Sequence, residues 1–152
     1  MRCAMLAEKR KIGYHKEVNK KDWERALMTL EILKPRFSIC KLPSETAVSE
    51  ITGAFVFFSR TDQELSVVCE ESCEPAGSQI VAGWRALRVE GTLAFSLVGV
   101  LAELSGLLAA HRVGIFVVST FDTDYILVRE DRLSDAVEAL ETGGHIVFEK
   151  ET

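Results

Sequence analysis

Cysteine, histidine and clustered positive charge are scarce in this chain, and each shortage removes a class of function. The four cysteines, Cys3, Cys40, Cys69 and Cys73, form no CxxC pair. Cys69 and Cys73 are near in sequence, but no second pair and no adjacent histidine completes a four-ligand zinc set, so free thiols in a reducing compartment are expected. The three histidines, His15, His111 and His145, are far apart. None sits in a nucleophile motif, and each reads as a surface or helix-end residue. Gly91 and Gly99 lack the Lys and Ser/Thr of a phosphate loop. With a net charge of −5 the chain is no candidate for nucleic-acid binding, which draws its affinity from clustered Lys and Arg.

Long apolar runs are missing too. The most apolar helical stretch is interrupted by Glu103, His111 and Arg112, so no membrane span is expected. The basic start MRCAMLAEKRK meets further charges before any apolar export segment develops. A cytoplasmic, non-catalytic protein without cofactor follows as the expectation.

What is present is hydrophobic and patterned. At 152 residues and 47% hydrophobic, the chain has material for one good core or two small modules sharing a sheet. The first 25 residues hold eight Lys or Arg against four Asp or Glu, a surplus of four that leaves about −9 for the remainder. Residues 1–26 therefore read as a basic, poorly ordered leader, with Met1 and Met28 both open as the working start.

Residues 89–130 organise the rest. Leu97, Val100, Leu101, Leu104 and Leu108 recur at three- and four-residue steps, the period of a helix face laid on a sheet. Ser96 is the natural N-cap, and His111 and Arg112 suit the negative end of the dipole before Gly114 turns the chain. The run IFVVS is apolar on both faces and predicts a strand covered on both sides. TFDTD then breaks the run before YILV, which predicts a hairpin with Asp122, Thr123 and Asp124 near its tip.

Upstream, Pro35 is expected to punctuate a hairpin between strands at 29–33 and 37–42. A two-turn helix is expected over residues 44–51, capped by Ser44, followed by strands at 54–59 and 64–69 and a loop over 70–77. Laid over each other at an offset of 60, FVFFSRTDQELSVVCEE and IFVVSTFDTDYILVRED match Ser59 with Ser119 and Asp62 with Asp122, which points to a duplication. With a second helix over 133–140, ended by Gly143 and Gly144, and a strand over 145–148, each copy reads βαββαβ. The predicted fold is α+β: two ferredoxin-like modules, residues 27–80 (abbreviated) and 81–152, with antiparallel sheets and helices on one face.

The strings WRALRVEGTLAFSLVG and GIFVVSTFDTDYILVRE resemble the second module of the small two-domain ACT proteins of bacteria, and MTLEILKPRFSICKL with FSRTDQELSVVCEE resembles their first. The ACT modules of cytosolic arginine sensors are similar. The resemblance implies a regulatory module without chemistry of its own, assembled through sheets or helices with amino-acid ligands at interfaces.

The residues suggest the same site. Ser96, Leu97, Val98 and Gly99 form a helix start whose free N–H groups suit a carboxylate. Thr120, Phe121, Asp122, Thr123 and Asp124 form a tip whose acids suit an ammonium or guanidinium. In the ranked roles, the N–H groups of Val98 and Gly99 hold the carboxylate, Asp124 holds the cation and Phe121 covers the ligand. The alternative is that Ser96 is only a cap, Gly99 a packing residue and the acids solvated turn residues. Gly99, Ala102, Gly106 and Ala109 make a second, small-residue helix face, for a homodimer partner or for a neighbouring element of the same chain.

Overall fold

The longest strand runs straight through the proline expected to end it. In the computed structural model, which describes residues 27–49, 51–91 and 99–150, β1 spans Thr29–Leu42 without a break. Its first part pairs in parallel with β7 (Ile146–Glu149), through Thr29↔Ile146 to Ile32↔Glu149. Its second part pairs antiparallel with β3 (Leu65–Glu70), through Phe37↔Glu70 to Leu42↔Leu65. Pro35 lies in the gap between these partners, and on the other edge the register with β4 (Gln79–Val89) shifts between Ile32 and Arg36. A residue without an N–H costs no ladder bond at such a bulge.

The remaining strands are β2 (Val56–Arg60), β5 (Ile115–Ser119) and β6 (Asp124–Arg129). All seven form one sheet in the order β2-β3-β1-β4-β6-β5, with β7 joined to β1 beside that path. Residue 80, the expected border between modules, falls inside β4.

Two helices cover part of one face. Strand alternation turns Leu30, Leu87, Val89, Ile126 and Val128 toward α1 (Val100–Ala110) and α2 (Leu133–Thr142), which bury Leu104, Leu108 and Leu140 against them. Helix α1 starts with Gly99 as its N-cap, at φ 93°, rather than with Ser96, which lies outside the described residues together with Leu97 and Val98. It ends where His111 and Arg112 predict, with His111 as its C-cap, but the turn that follows differs from expectation. Arg112, at φ 56°, takes the left-handed position expected of Gly114, and the Arg112 and Val113 N–H groups donate to Ala109 and Leu108 carbonyls at 2.9 Å each. Helix α2 stops as the glycines predict, with Gly144 at φ 92°.

Among the described residues the other half of this face has no helix. In the segment expected to form one, residues 44–49 and 51 are irregular, with the Thr46 N–H donating to the Pro43 carbonyl at 3.1 Å. Arg60 explains why: its guanidinium donates to the carbonyls of Ser44 and, at 2.6 Å, Thr46, which a helix would have used itself. A two-turn helix has little cooperative strength to resist that. Val48 and Ile51 still cover Cys40, Leu42, Leu65, Val67 and Cys69, doing by irregular packing what a helix would do.

The opposite face carries its own core of Phe37, Val68, Ala86 and Leu127, with Phe57 and Phe116 packed against it. The sheet curls so that the β2–β3 and β5–β6 hairpins, far apart in strand order, meet there: the Phe57 and Tyr125 rings lie 4.8 Å apart. IFVVS is thus covered on both sides, Val117 toward the helices and Phe116 toward the other hairpin.

The two hairpins share one register at an offset of 59 residues rather than 60. Val56↔Cys69 in the first corresponds to Ile115↔Val128 in the second, and Arg60↔Leu65 to Ser119↔Asp124. The one-residue difference matters because it flips every side chain to the other face. At 60, Phe57 would match Val117, on the helix side; at 59 it matches Phe116, on its own side.

Candidate functional site

Strand alternation puts Ser119 and Asp124, a ladder pair at the end of β5 and β6, on the helix-bearing face. The tip between them is a closed turn. The Thr120 N–H and hydroxyl both donate to the Thr123 carbonyl at 2.8 Å, and the Thr123 N–H donates to the Thr120 hydroxyl at 3.3 Å. The Thr123 hydroxyl donates to the Val89 carbonyl at 2.6 Å, tying the tip to the last residue of β4. From there the chain leaves for α1, so the tip lies at the end of the sheet where β4 finishes. Phe121 is 78% exposed on the tip and Asp122 is exposed beside it, while Asp124 is half-buried.

Of the expected site residues, the structure therefore gathers Thr120, Phe121, Asp122, Thr123 and Asp124 at this corner. Thr120 and Thr123 spend their hydroxyls on the turn itself. Gly99 opens α1, with its carbonyl accepting from the Glu103 N–H at 2.9 Å, and the free N–H groups of that end belong to the first helical turn beginning at Val100. Ser96, Leu97 and Val98 lie outside the described residues.

Sequence reasoning passed over a charged line across the sheet at the same end. Glu31 stands opposite Arg88, and Arg88 opposite Tyr125, on the face away from α1 and α2. Glu31 is 6% exposed and pairs with Arg88 and, at 3.3 Å, with Lys150; Arg88 also reaches Glu90 at 3.2 Å. Burial pushes the Glu31 carboxyl up, but its contacts with Glu90 and Lys150 and the Arg88 and Lys150 charges outweigh burial and hold it below the ordinary value. The signal was a charged residue at an inward position of LEIL and of ALRV. Only the cross-strand register unites the two.

His145 also departs from its expected place. It is 4% exposed, directly after α2, and its Nδ1 accepts the Met28 N–H at 3.1 Å while its Nε2 lies 3.5 Å from Glu103. His111 does sit at a helix end, exposed, as the C-cap of α1. Ala102, Gly106 and Ala109 are exposed, and a Cβ on Gly106 would meet nothing within 4 Å among the described residues. That face of α1 is not used by a neighbouring element described here. Among the described residues no helix is long and apolar enough to cross a membrane.

Residues 79–142, which span β4, both helices and the tip, match the ACT domain family. A crystal structure of an Agobacterium tumefaciens protein is similar over 84% of this chain and 97% of its own, at 32% identity and a TM-score of 0.77. The regulatory subunit of aspartate kinase from Thermus thermophilus, at 9% identity, shares the fold with a TM-score of 0.58 over 78% of this chain and 99% of its own. Among curated proteins, the cytosolic arginine sensor for mTORC1 subunit 1 of Rattus norvegicus is 39% identical over 124 residues, 76% of this chain and 38% of the sensor. The Bos taurus protein of the same name is 30% identical over 96 residues, 58% of this chain and 29% of the sensor. This chain thus spans well under half the length of these curated relatives.

Proposed function

Because the chain belongs to the ACT domain family, we propose that it is a regulatory module without catalytic activity that binds a free amino acid where the start of α1 faces the tip of the β5–β6 hairpin. The observation that carries this reading is the bond from Thr123 to the Val89 carbonyl, since it fixes an acidic tip at the sheet end from which the chain departs for α1. A zwitterion needs an anion-binding and a cation-binding element within one ligand length. Free N–H groups before and in the first turn of α1 serve the carboxylate, Asp124 the cationic group, and Phe121 covers the ligand. A basic amino acid fits the acidic tip best, in keeping with the name of the curated relatives.

In this reading the chain is two fused ACT-like halves of unequal make-up, the first having exchanged its helix for the irregular cover over residues 43–55. It acts in the cytoplasm, and the exposed Ala102, Gly106 and Ala109 face of α1 seats a second copy in a homodimer.

The test is calorimetric titration of the full chain with each of the twenty amino acids. Binding should appear for one or a few, and Asp124→Asn should weaken it by about 1–3 kcal/mol, the cost of losing a charge-assisted bond. A folded parent that gives no heat with any amino acid would favour an interaction domain without a small-molecule ligand.

A further inference from the structure

The two hairpins present matching positions to each other across the face away from α1 and α2, and one position is not matched in kind. By their common register Phe57 corresponds to Phe116, Val68 to Leu127, Ser59 to Val118 and Ser66 to Tyr125. The Tyr125 ring of the second hairpin lies over Phe57 of the first, with centroids 4.8 Å apart and planes inclined at 53°. The reciprocal contact would set a ring at position 66 over Phe116. Ser66 supplies none, and a cleft of about 350 Å³ opens there, lined by Phe57, Ser66, Val68, Phe116 and Val118. That volume is at the small end of the roughly 300–1,000 Å³ typical of small-molecule sites.

We propose that this cleft between the β2–β3 and β5–β6 hairpins binds a neutral aromatic molecule carrying one hydrogen-bonding group, a phenol or an indole. The ring takes the place that Tyr125 occupies in the reciprocal contact. It meets Phe116 in the offset or tilted geometry that aromatic pairs favour, with Val68 and Val118 at its sides. Among the described residues no charged side chain lines the cleft, which favours a neutral ligand. The polar end has several. Ser59 and Ser66 face the cleft, and β2 and β5 are the last strands of the sheet path, so their outer N–H and C=O groups have no neighbouring strand among the described residues. The site goes beyond the amino-acid reading, because Asp124 points to the opposite face.

The experiment titrates p-cresol and indole into the full chain and follows ligand saturation transfer and protein amide shifts by NMR. Saturable binding with shifts centred on Ser66 and Phe116 is expected. Ser66→Tyr, which gives the first hairpin the residue of the second, should weaken binding at least about tenfold, while Ser66→Ala retains it. Should Ser66→Tyr lose its cooperative melt, Ser59→Phe fills the same cleft from the strand edge and takes its place. Asp124→Asn should leave p-cresol affinity unchanged; a loss there would put the ring in the amino-acid site and overturn the proposal. Absence of saturable binding, or binding that a folded cleft-filling variant leaves intact, would overturn it as well. L-Tyrosine separates the sources of the ring: tighter, competitive binding than p-cresol would assign the cleft to an amino acid rather than a neutral ligand.

Discussion

Phe37 and Trp84 stand opposite each other in the β1–β4 ladder, and each also stands opposite the corresponding residue of its own hairpin, Phe37 opposite Glu70 and Trp84 opposite Arg129. This one cross-strand pair therefore stands between the two hairpins, and its two members keep different company. Phe37 packs edge-on against Phe55 at 6.1 Å, whereas Trp84, edge-on to Phe116 at 6.5 Å, also carries the Arg129 guanidinium 5.2 Å from its ring centroid.

Acid should expose the role of Glu31. Its folded pKa lies below the ordinary 4.5, so the carboxylate contributes stability that is complete above the unfolded value and is lost as pH falls through the folded one. Glu31→Gln keeps the shape but leaves Arg88 and Lys150 without their shared partner. Urea melts at neutral pH should show a loss of about 1–3 kcal/mol, with a shallower decline below pH 4.5 than in the parent.

His145 should be a structural residue. Replacing it with Phe fills the space but removes the acceptor of the Met28 N–H, which sits where β1 begins beside β7. Chemical denaturation should register a loss of about 1–3 kcal/mol, the cost of an unsatisfied buried donor, and an unchanged midpoint would mean that water replaces the ring.

The thiols should differ in reactivity. Burial and its neighbours push the Cys69 thiol up to about 12, and the residue is 0% exposed. Iodoacetamide at pH 8, with sites mapped by mass spectrometry, should leave Cys69 unmodified in the native protein while the half-buried Cys73 reacts first. Modification of Cys69 at the rate of Cys73 would show that the β1–β3 layer opens readily.

Association through α1 is open to a direct measurement. Gly106→Leu adds a bulky side chain on an exposed helix face where nothing described lies within 4 Å, so the monomer should keep its melting temperature. If two copies meet there, light scattering should show a dimeric mass for the parent and a monomeric one for the variant. A monomeric parent would remove the homodimer.

The second half of the chain was the more legible. IFVVS, YILV and the Gly143-Gly144 stop carry their own local signals, and the elements formed where those signals lay. The errors came where a distant partner decides. Pro35 reads as a break until β3 and β7 are seen to share one edge of β1 and leave it between them. Residues 44–51 read as a helix because Arg60, which takes their carbonyls, is a strand away. Identities at Ser59 and Asp62 favour an offset of 60, one residue away from the alternation of faces, which only the register reveals. At the candidate site the acidic tip was legible from its turn residues, whereas the Glu31 and Arg88 line was not, since each is a lone charge on its strand.

The passage of β1 through Pro35 also has a mechanical consequence. One covalent strand is held at its start by β7 and at its end by β3, so a pull applied to the closing strand of the second half is delivered, without a hinge, to the hairpin of the first. A cut in the loop between β3 and β4 would set apart β1 and β4, which pair from Leu30↔Val89 to Lys41↔Gln79. A force felt at β7 therefore reaches the β2–β3 hairpin along the backbone of β1 itself.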